Sequence, residues 1–303
     1  MSSSVTVAAP AKINLQLGVG AARPDGFHTL ATVYQAIGLY DEVTVTPAAS
    51  TTLTVVGEGV DVSDVPTDST NLALRAAAVL ASRAGVDAAE VSMTIRKRIP
   101  VAGGMAGGST DGAAALLACD ALWGTRTAQE DLLALAAELG SDVPFCLVGH
   151  TAGGSGRGEV VHAVEDTGSY WWVVALSDRG LSTPAVYAEF DRRHAGAEVA
   201  EPELSADLLA ALAMGDAVRI GAALTNDLEA PALTLRPDLA DLLELGGRPP
   251  SLGALLSGSG PTCLFLAADE GDARKIRDTL RASGTAALVA PGPVPGAHVI
   301  SSL

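Results

Sequence analysis

β-branched and apolar residues recur over several short stretches near the start of the chain, with the lengths and alternation typical of half-buried strands. These stretches are Val5–Val7, Ile13–Val19, Thr29–Ile37, Glu42–Val45 and Leu53–Val56. They predict that the chain opens with an antiparallel sheet.

The spacing of apolar residues becomes helical over Asn71–Ala84, about 111–122 and about 128–139, and a glycine follows each run within two residues. Glycine is common at helix C-termini because it adopts left-handed backbone angles without steric cost. A further strand is predicted between the first two helices, over Val91–Ile99. The first half of the chain therefore combines a sheet with helices.

The second half shows a similar mixture after a turn-rich passage at Gly149–Glu159, where we place the boundary between the halves. Its predicted elements are strands at Tyr170–Leu176, Leu252–Leu256 and Cys263–Ala267, short helices between residues 183 and 245, and a helix near Asp272–Leu280 before a last strand. Strands and helices alternate without a regular βαβ count. This predicts a two-domain α+β fold, with domains at 1–155 and 156–303.

Hydrophobic residues make up 48% of the 303 positions and charged residues 18%, which is typical of a globular protein. The formal net charge of −16 and the lack of a basic stripe argue against a nucleic-acid partner. No apolar stretch reaches the ~18 residues of a membrane span, and the first residues lack a secretory signal pattern. Three separated cysteines without CxxC spacing suit a reducing cytoplasm, and the sequence gives no indication of oligomeric state.

A glycine-rich loop, PVAGGMAGGST at Pro100–Thr110, joins a predicted strand to a predicted helix. The first turn of a helix has unpaired N–H groups and the positive end of the helix dipole, so it attracts phosphate. Glycine lets the backbone approach phosphate oxygens closely. Ser109 and Thr110 could cap the helix, contact phosphate or reach a magnesium ion. The loop therefore predicts a phosphate-binding site.

Two other phosphate-binding motifs do not fit this loop. Gly103 and Gly108 have the spacing of a Walker A motif, but Ser109 stands where that motif needs lysine. The glycines also lack the G-x-G-x-x-G phase of dinucleotide-binding loops. The alternative to phosphate binding is a loop that serves only tight packing.

Three segments, APAKINLQLGV, PVAGGMAGGST and SGSGPT, resemble in their order and separation the kinase superfamily that includes galactokinase, homoserine kinase, mevalonate kinase and phosphomevalonate kinase. More narrowly, PAKINL, DGFHTL, GSDVPF and SGSGPT together resemble the family of kinases that phosphorylate 4-diphosphocytidyl-2-C-methyl-D-erythritol. This likeness implies ATP-dependent phosphorylation of the 2-hydroxyl of that cytidylyl substrate, a step of non-mevalonate isoprenoid synthesis. It also implies a site in the cleft between two domains.

By this likeness Asp142 in GSDVPF is the catalytic base, and Lys12 in PAKINL is the second catalytic residue. The lysine ammonium could keep Asp142 ionised and favour the developing alkoxide. From the residues alone, Asp142 could instead cap the turn that follows it, and Lys12 could be a solvent-facing strand position. Asn14 shares a strand face with Lys12, since side chains repeat every second residue, and is assigned to the substrate.

His28 and Phe27 in DGFHTL resemble the segment that holds the cytosine ring. Histidine can hydrogen-bond the base edge, and an aromatic face can stack on the base. The family usually has tyrosine in place of Phe27, so a phenolic hydroxyl is lost here. Tyr187 resembles the second aromatic wall of the pocket, although an aromatic residue at the start of a helix is more often core.

The likeness places the adenine pocket beside Asn71, Leu72 and Lys97, although Asn71 would be a good helix N-cap regardless. The SGSGP turn at Ser257–Pro261 is expected to pack beside the glycine-rich loop and support it. The predicted ATP contacts are Asn71, Leu72, Lys97, Pro100, Val101, Ala102, Gly103, Gly104, Met105, Ala106, Gly107, Gly108, Ser109 and Thr110.

Phosphoryl transfer of this kind generally needs Mg²⁺ bridging the nucleotide phosphates. The sequence shows no clear carboxylate cage, so we expect ATP as co-substrate, with Mg²⁺ held mainly by ATP, water and Ser109. Two alternatives stay open: a kinase of the same superfamily acting on mevalonate, homoserine or a sugar, and a ligand-binding relative without activity. A nucleobase pocket at DGFHTL argues against the first, and the presence of Lys12, Asp142 and an intact loop argues against the second.

Overall fold

The computed structural model describes residues 3–86, 90–101 and 103–302. Two long strands, β1 (Val5–Ala22) and β2 (His28–Pro47), pair antiparallel in the middle of an eight-stranded sheet. The remaining strands and the first helix of this region are β3 (Thr52–Gly57), β4 (Val91–Lys97) and α1 (Leu72–Ala84).

The predicted antiparallel arrangement is wrong for β3. β4 pairs antiparallel with β2, but β3 pairs parallel with β4. The physical reason is the connection: α1 carries the chain back along the sheet before β4 begins, and such a crossover brings strands together in the same direction. α1 itself has its predicted ends, with Asn71 as N-cap and Gly85 in the left-handed conformation at φ 64°.

β1 and β2 run continuously through the breaks that the sequence pattern predicted in them. Register shifts between Pro10 and Ala11 and between Asn14 and Gln16 let β1 bend without ending. Irregularities of this kind bend a strand and re-aim its side chains, and they are common beside active sites. Here they lie on both sides of Lys12.

The central helix α2 (Gly107–Trp123) begins four residues earlier than predicted, because the glycines that open it are already helical. Its N-cap is Ala106, which has a left-handed φ of 59° and makes no side-chain cap hydrogen bond. The predicted capping roles of Ser109 and Thr110 are therefore wrong, since both residues lie inside the first turn. Most of α2 is buried against β1, β2 and α1, which makes it the core helix of this half.

The turn-rich passage at Gly149–Glu159 is part of the N-terminal sheet. After α3 (Gln129–Leu139) and α4 (Val143–Val148), strand β5 (Thr151–Ser155) pairs with β2, and β6 (Val160–Ala163) pairs with β5. The boundary between residues 155 and 156 falls within this hairpin, and its use as a domain boundary stays a prediction.

The second sheet has four antiparallel strands, in the order β11-β7-β10-β9. Helices pack around it, a two-residue strand pairs with β1, and the last strand also returns to β1. The elements are β7 (Tyr170–Ala175), α5 (Thr183–Arg193), α6 (Ala206–Met214), α7 (Ala217–Ala223), β8 (Thr225–Asn226), α8 (Glu229–Leu235), α9 (Asp238–Gly246), β9 (Gly253–Leu256), β10 (Cys263–Ala267), α10 (Glu270–Ala282), β11 (Ala287–Gly292) and β12 (His298–Ser302).

A shared apolar core joins the two sheets. Ile13 and Leu15 of β1 pack with Trp172 of β7, and all three side chains are fully buried. Alternation along β1 turns Lys12 and Asn14 away from this core and towards a cleft. Across the described ranges, none of the helices is both long enough and apolar enough to cross a bilayer.

Candidate active site

Lys12 and Asp142 meet at the bottom of the cleft. Lys12 Nζ lies 3.3 Å from Asp142 Oδ2 and donates a hydrogen bond to Asn14 Oδ1 at 3.1 Å. Only 7% of the lysine side chain is exposed, which excludes a solvent-facing role. Asp142 precedes α4 but its side chain makes no cap hydrogen bond, so the capping alternative is excluded as well. The carboxylate is about one-third exposed and can be reached from the cleft.

Tyr34 is a member of this site that the sequence analysis missed. Its ring lies 5.1 Å from Lys12 Nζ, and its hydroxyl lies close to the Asp142 carboxylate. Burial, together with the charge of Asp142, raises the pKa of Tyr34 well above its ordinary value, so the phenol stays protonated beside the carboxylate. The available signal was a buried tyrosine in an apolar strand, because its hydroxyl must find a partner.

Asn14 is held in place by its own hydrogen bonds. Its amide nitrogen donates to Thr32 Oγ1 at 2.8 Å, and the Thr32 hydroxyl donates to the Gln16 carbonyl at 2.6 Å. The Asn14 oxygen therefore faces Lys12 in a fixed orientation. This chain of bonds positions the lysine beside Asp142.

His28 and Tyr187 form an aromatic wall farther along the cleft. Their ring centroids are 4.9 Å apart, and His28 Nε2 lies 2.8 Å from Asp191 Oδ1. Phe27 is 49% exposed at the mouth of the cleft, where its ring lies 4.8 Å from the guanidinium carbon of Arg157. The predicted substrate residues are therefore brought together, with Phe27 less enclosed than His28.

Lys12, Asp142 and the aromatic wall line one cavity of about 650 Å³. Gly104 and Ala106 of the glycine-rich loop form part of its wall. The same two residues also line a second cavity of about 390 Å³ on the other side of the loop. Two ligands, one in each cavity, would therefore come into contact beside this loop.

Most of the residues that were predicted to contact ATP line the second cavity. Ala102 lies outside the described residues, and Thr110 is turned away because its hydroxyl donates to the Pro10 carbonyl at 3.0 Å. Asn71 lines the cavity while its side chain also caps α1, accepting from Ala73 N at 2.9 Å. The predicted contacts found around this cavity are Asn71, Leu72, Lys97, Pro100, Val101, Gly103, Gly104, Met105, Ala106, Gly107, Gly108 and Ser109.

Lys97 is buried beneath the loop between two carboxylates. Its Nζ lies 2.5 Å from Asp41 Oδ2 and 2.7 Å from Asp111 Oδ2, and Asp41 also accepts from the N–H groups of Arg98 and Ile99. Burial raises the pKa of Asp111 to about 8; Lys97 opposes this rise and Asp41 adds to it. The ammonium thus ties β4 to the first turns of α2, and its predicted contact with ATP stays a prediction.

The SGSGP turn packs against the loop, as predicted. Gly104 has a φ of +70°, and a Cβ on it would come within 2.9 Å of the Ser257 carbonyl oxygen and 3.0 Å of the Gly260 carbonyl oxygen. Backbone atoms cannot move aside as a flexible side chain can. Gly104 is therefore required both by its conformation and by its close approach to the turn.

We expect Gly104→Ala to raise the Kd for ATP about tenfold, because the loop must shift to relieve the contact with the turn, and to lower stability by about 1–3 kcal/mol. Titration calorimetry with ATP and urea unfolding measure the two effects. Gly85→Ala is the matched control: Gly85 also has a left-handed φ, of 64°, but a Cβ there meets nothing within 4 Å. An ATP affinity equal to that of Gly85→Ala would remove Gly104 from the nucleotide site.

The donor groups around the second cavity suit a magnesium ion that arrives with the nucleotide. Among the residues that the structure describes, no group of three or more His, Cys, Asp and Glu side chains could hold a metal ion. Ser109 lines the cavity, and a serine hydroxyl is a hard oxygen donor of the kind that Mg²⁺ accepts. Phosphate oxygens and water would have to supply the rest of the coordination.

Two family models match the chain: the N-terminal domain of GHMP kinases over residues 71–150, and the C-terminal domain of GHMP kinases over residues 208–286. With the loop and the Lys12–Asp142 pair, they define the class of the protein as a GHMP kinase, an ATP-dependent phosphotransferase. The predicted two-domain α+β fold is confirmed by the same matches.

Comparison with individual proteins identifies the family within this class of kinases. The chain is 57% identical over 299 residues to the 4-diphosphocytidyl-2-C-methyl-D-erythritol kinase of Streptomyces avermitilis, covering 98% of this chain and 100% of the relative. It is 56% identical over 306 residues to the kinase of the same name from Thermobifida fusca, covering 98% and 99%. A crystal structure of 4-(cytidine 5'-diphospho)-2C-methyl-D-erythritol kinase matches with a TM-score of 0.76 and 34% identity, covering 94% of this chain and 98% of that chain. The chain belongs to the 4-diphosphocytidyl-2-C-methyl-D-erythritol kinase family.

Proposed function

We propose that this protein transfers the γ-phosphoryl group of ATP to the 2-hydroxyl of 4-diphosphocytidyl-2-C-methyl-D-erythritol, in isoprenoid precursor synthesis. The observation that carries the proposal is the position of the Lys12–Asp142 pair, in a cavity that has an aromatic wall along its length and the glycine-rich loop at its side. A nucleobase fits the wall, and a hydroxyl near Asp142 would face the loop.

The aromatic wall favours a nucleobase over a smaller group. His28 is largely buried between Tyr187 and Phe190, and its ring can hydrogen-bond the edge of a base held beside it. Tyr187 offers a flat apolar face, and burial raises the pKa of its phenol to about 12, so it carries no charge at neutral pH. Mevalonate and homoserine have no ring, and a sugar has no aromatic base whose edge could hydrogen-bond to His28 while its face stacks on Tyr187.

The chemistry follows from the groups around Asp142. Its carboxylate accepts the proton of the substrate hydroxyl as the phosphoryl group arrives. Lys12 stabilises the negative charge that develops on the substrate oxygen, while Tyr34 holds the carboxylate from another side. The loop amides bind the phosphate chain, and Ser109 would complete the shell of Mg²⁺, which neutralises phosphate charge when it is bound.

A panel of hydroxyl acceptors tests the substrate. With ATP and Mg²⁺ present, we expect ADP release above background with the cytidylyl substrate, and none above background with mevalonate, homoserine or galactose. Product analysis by ³¹P NMR would place the new phosphate on the 2-hydroxyl. Turnover of mevalonate or homoserine without turnover of the cytidylyl substrate would overturn the assignment, and ATP binding without ADP release from any acceptor would indicate a non-catalytic relative.

We further propose the reducing cytoplasm as the place of action, with small molecules as ligands. Cys119, Cys146 and Cys263 are buried as free thiols, which suits that compartment. Burial raises the pKa of each thiol to about 12, so they stay protonated and unreactive. The net charge of −16 argues against a nucleic-acid partner.

A further inference from the structure

The acceptor in the proposed function carries a diphosphate between its two ends, and that diphosphate needs a counter-charge. The aromatic wall of His28 and Tyr187 would take the base, and the Lys12–Asp142 pair would take the reacting hydroxyl. A ligand that reaches both must thread its diphosphate through the middle of the same cavity. Because the protein has a net charge of −16, its overall field opposes this anion, and a local cation has to offset it.

Lys12 and Arg157 are the Lys and Arg side chains found in the lining of this cavity within the described ranges. The Lys12 ammonium is already engaged by Asp142 and Asn14 at the reacting end. Arg157 is different: its terminal amino groups have no hydrogen-bond acceptor among the residues that the structure describes. Arg157 therefore has donors available for an anionic ligand.

Two neighbours orient the Arg157 side chain. Its Nε lies 3.6 Å from Glu159 Oε1, and its backbone N–H donates to Glu159 Oε2 at 2.6 Å, so the carboxylate holds the Nε side of the guanidinium. The guanidinium carbon lies 4.8 Å from the centre of the Phe27 ring, within cation–π distance. A planar group with one edge held and one face stacked presents its remaining N–H groups along a defined direction.

The backbone places Arg157 between the two ends of the cavity. Its side chain covers Phe27, at the base end. The next residue, Gly158, packs so closely on Tyr34 that a Cβ there would collide with the Tyr34 hydroxyl, which in turn contacts Asp142 at the reacting end. Arg157 therefore bridges the stretch that the diphosphate must cross.

We propose that Arg157 binds the diphosphate of the cytidylyl substrate, with Glu159 and Phe27 orienting its guanidinium; this assignment rests on the proposed function. An arginine fork matches two phosphate oxygens at once, which a lysine does not. The family usually has tyrosine in place of Phe27. Stacking against the guanidinium of Arg157 gives Phe27 a role that needs no hydroxyl.

Titration calorimetry with CDP and with cytidine tests the proposal without turnover. For Arg157→Gln, we expect the Kd for CDP to rise about ten- to a hundredfold, the usual effect of losing a charge-assisted hydrogen bond, while the Kd for cytidine stays within about twofold. Arg157→Lys should recover part of the CDP affinity, and the Kd for ATP should not change in either variant. Arg23→Gln is the matched control, because Arg23 pairs with the nearby Asp25 and does not line the cavity.

Each other outcome overturns the assignment. An unchanged Kd for CDP would show that Arg157 does not touch the diphosphate, and equal losses for CDP and cytidine would show that it acts through the base wall. A weakened Kd for ATP or a lowered urea midpoint in both Arg157 variants would show a structural role. Failure of the proposed function is distinct, since it would appear in the unmodified protein as absence of phosphoryl transfer to the cytidylyl substrate.

Discussion

Asp142→Asn is expected to lower kcat by about a hundredfold to ten-thousandfold, the range attributed to a positioned general base. The amide has nearly the same shape as the carboxylate, but it cannot take the proton of the acceptor hydroxyl, and it removes the charge that pairs with Lys12. The Kd for ATP should stay within about twofold, because the proposed function assigns the phosphates to the loop amides and not to Asp142. Single-turnover kinetics with the cytidylyl substrate, together with ATP titration, separate the two effects.

Asp269→Asn provides the control for that substitution. Asp269 is the N-cap of α10, where its carboxylate accepts from Asp272 N at 2.9 Å, and asparagine caps helices about as well. The control should keep both kcat and stability. A kcat for Asp142→Asn equal to that of the control would mean that another group accepts the proton.

Lys97→Met is expected to lower the free energy of unfolding by about 3–5 kcal/mol at pH 7, the usual cost of removing one partner from a buried ion pair. Methionine fills a similar volume but leaves Asp41 and Asp111 without their cation in a site where both carboxylates are almost completely buried. Urea unfolding measures the loss. Lys275→Met should cost less than about 0.5 kcal/mol, because Lys275 is 71% exposed in its pair with Asp272.

The loss in Lys97→Met should grow as the pH rises. The folded-state pKa of Asp111 is already raised to about 8, so the folded protein holds a proton that the unfolded chain has released above about pH 4. Stability from this group is therefore present at low pH and lost as the pH rises through 8. Removing Lys97, which opposes the rise, pushes that pKa higher, so the deficit should stay nearly constant up to about pH 7 and grow above about pH 8, where the parent protein releases the proton and the variant still holds it. Unfolding at pH 7 and at pH 9 should therefore show the smaller deficit at pH 7.

A further substitution, at Asp111, gives an independent check on the cluster of Lys97, Asp41 and Asp111. Adding Asp111→Asn to Lys97→Met should restore part of the lost stability, because asparagine is neutral without taking up the proton that burial forces on Asp111. A deficit that does not depend on pH, and no recovery in the double variant, would mean that the cost of Lys97→Met comes from packing and not from charge.

Structural features that depend on adjacent residues in the chain could be predicted from the sequence. Asn71 and Gly85 bound α1 as predicted, because capping and the left-handed stop depend on a few adjacent residues. The glycine-rich loop was predicted from its own residues, whereas the roles of Lys12 and Asp142 came from likeness to a family, since on their own the two residues also fitted a surface strand and a capped turn. Neither alternative survives the contact between their side chains.

Only the tertiary structure decided how the site is assembled. The link from Tyr34 to Asp142, the guanidinium of Arg157 over Phe27 and the burial of Lys97 between Asp41 and Asp111 all join residues that are far apart in the chain. Periodicity shows which face of an element is apolar, but it does not show which polar side chain on another element lies opposite. The sequence by itself determined the glycine-rich loop, the ends of α1 and the approximate place of most strands and helices, whereas the pairing of strands and of polar groups across the cleft came from packing two sheets around one core.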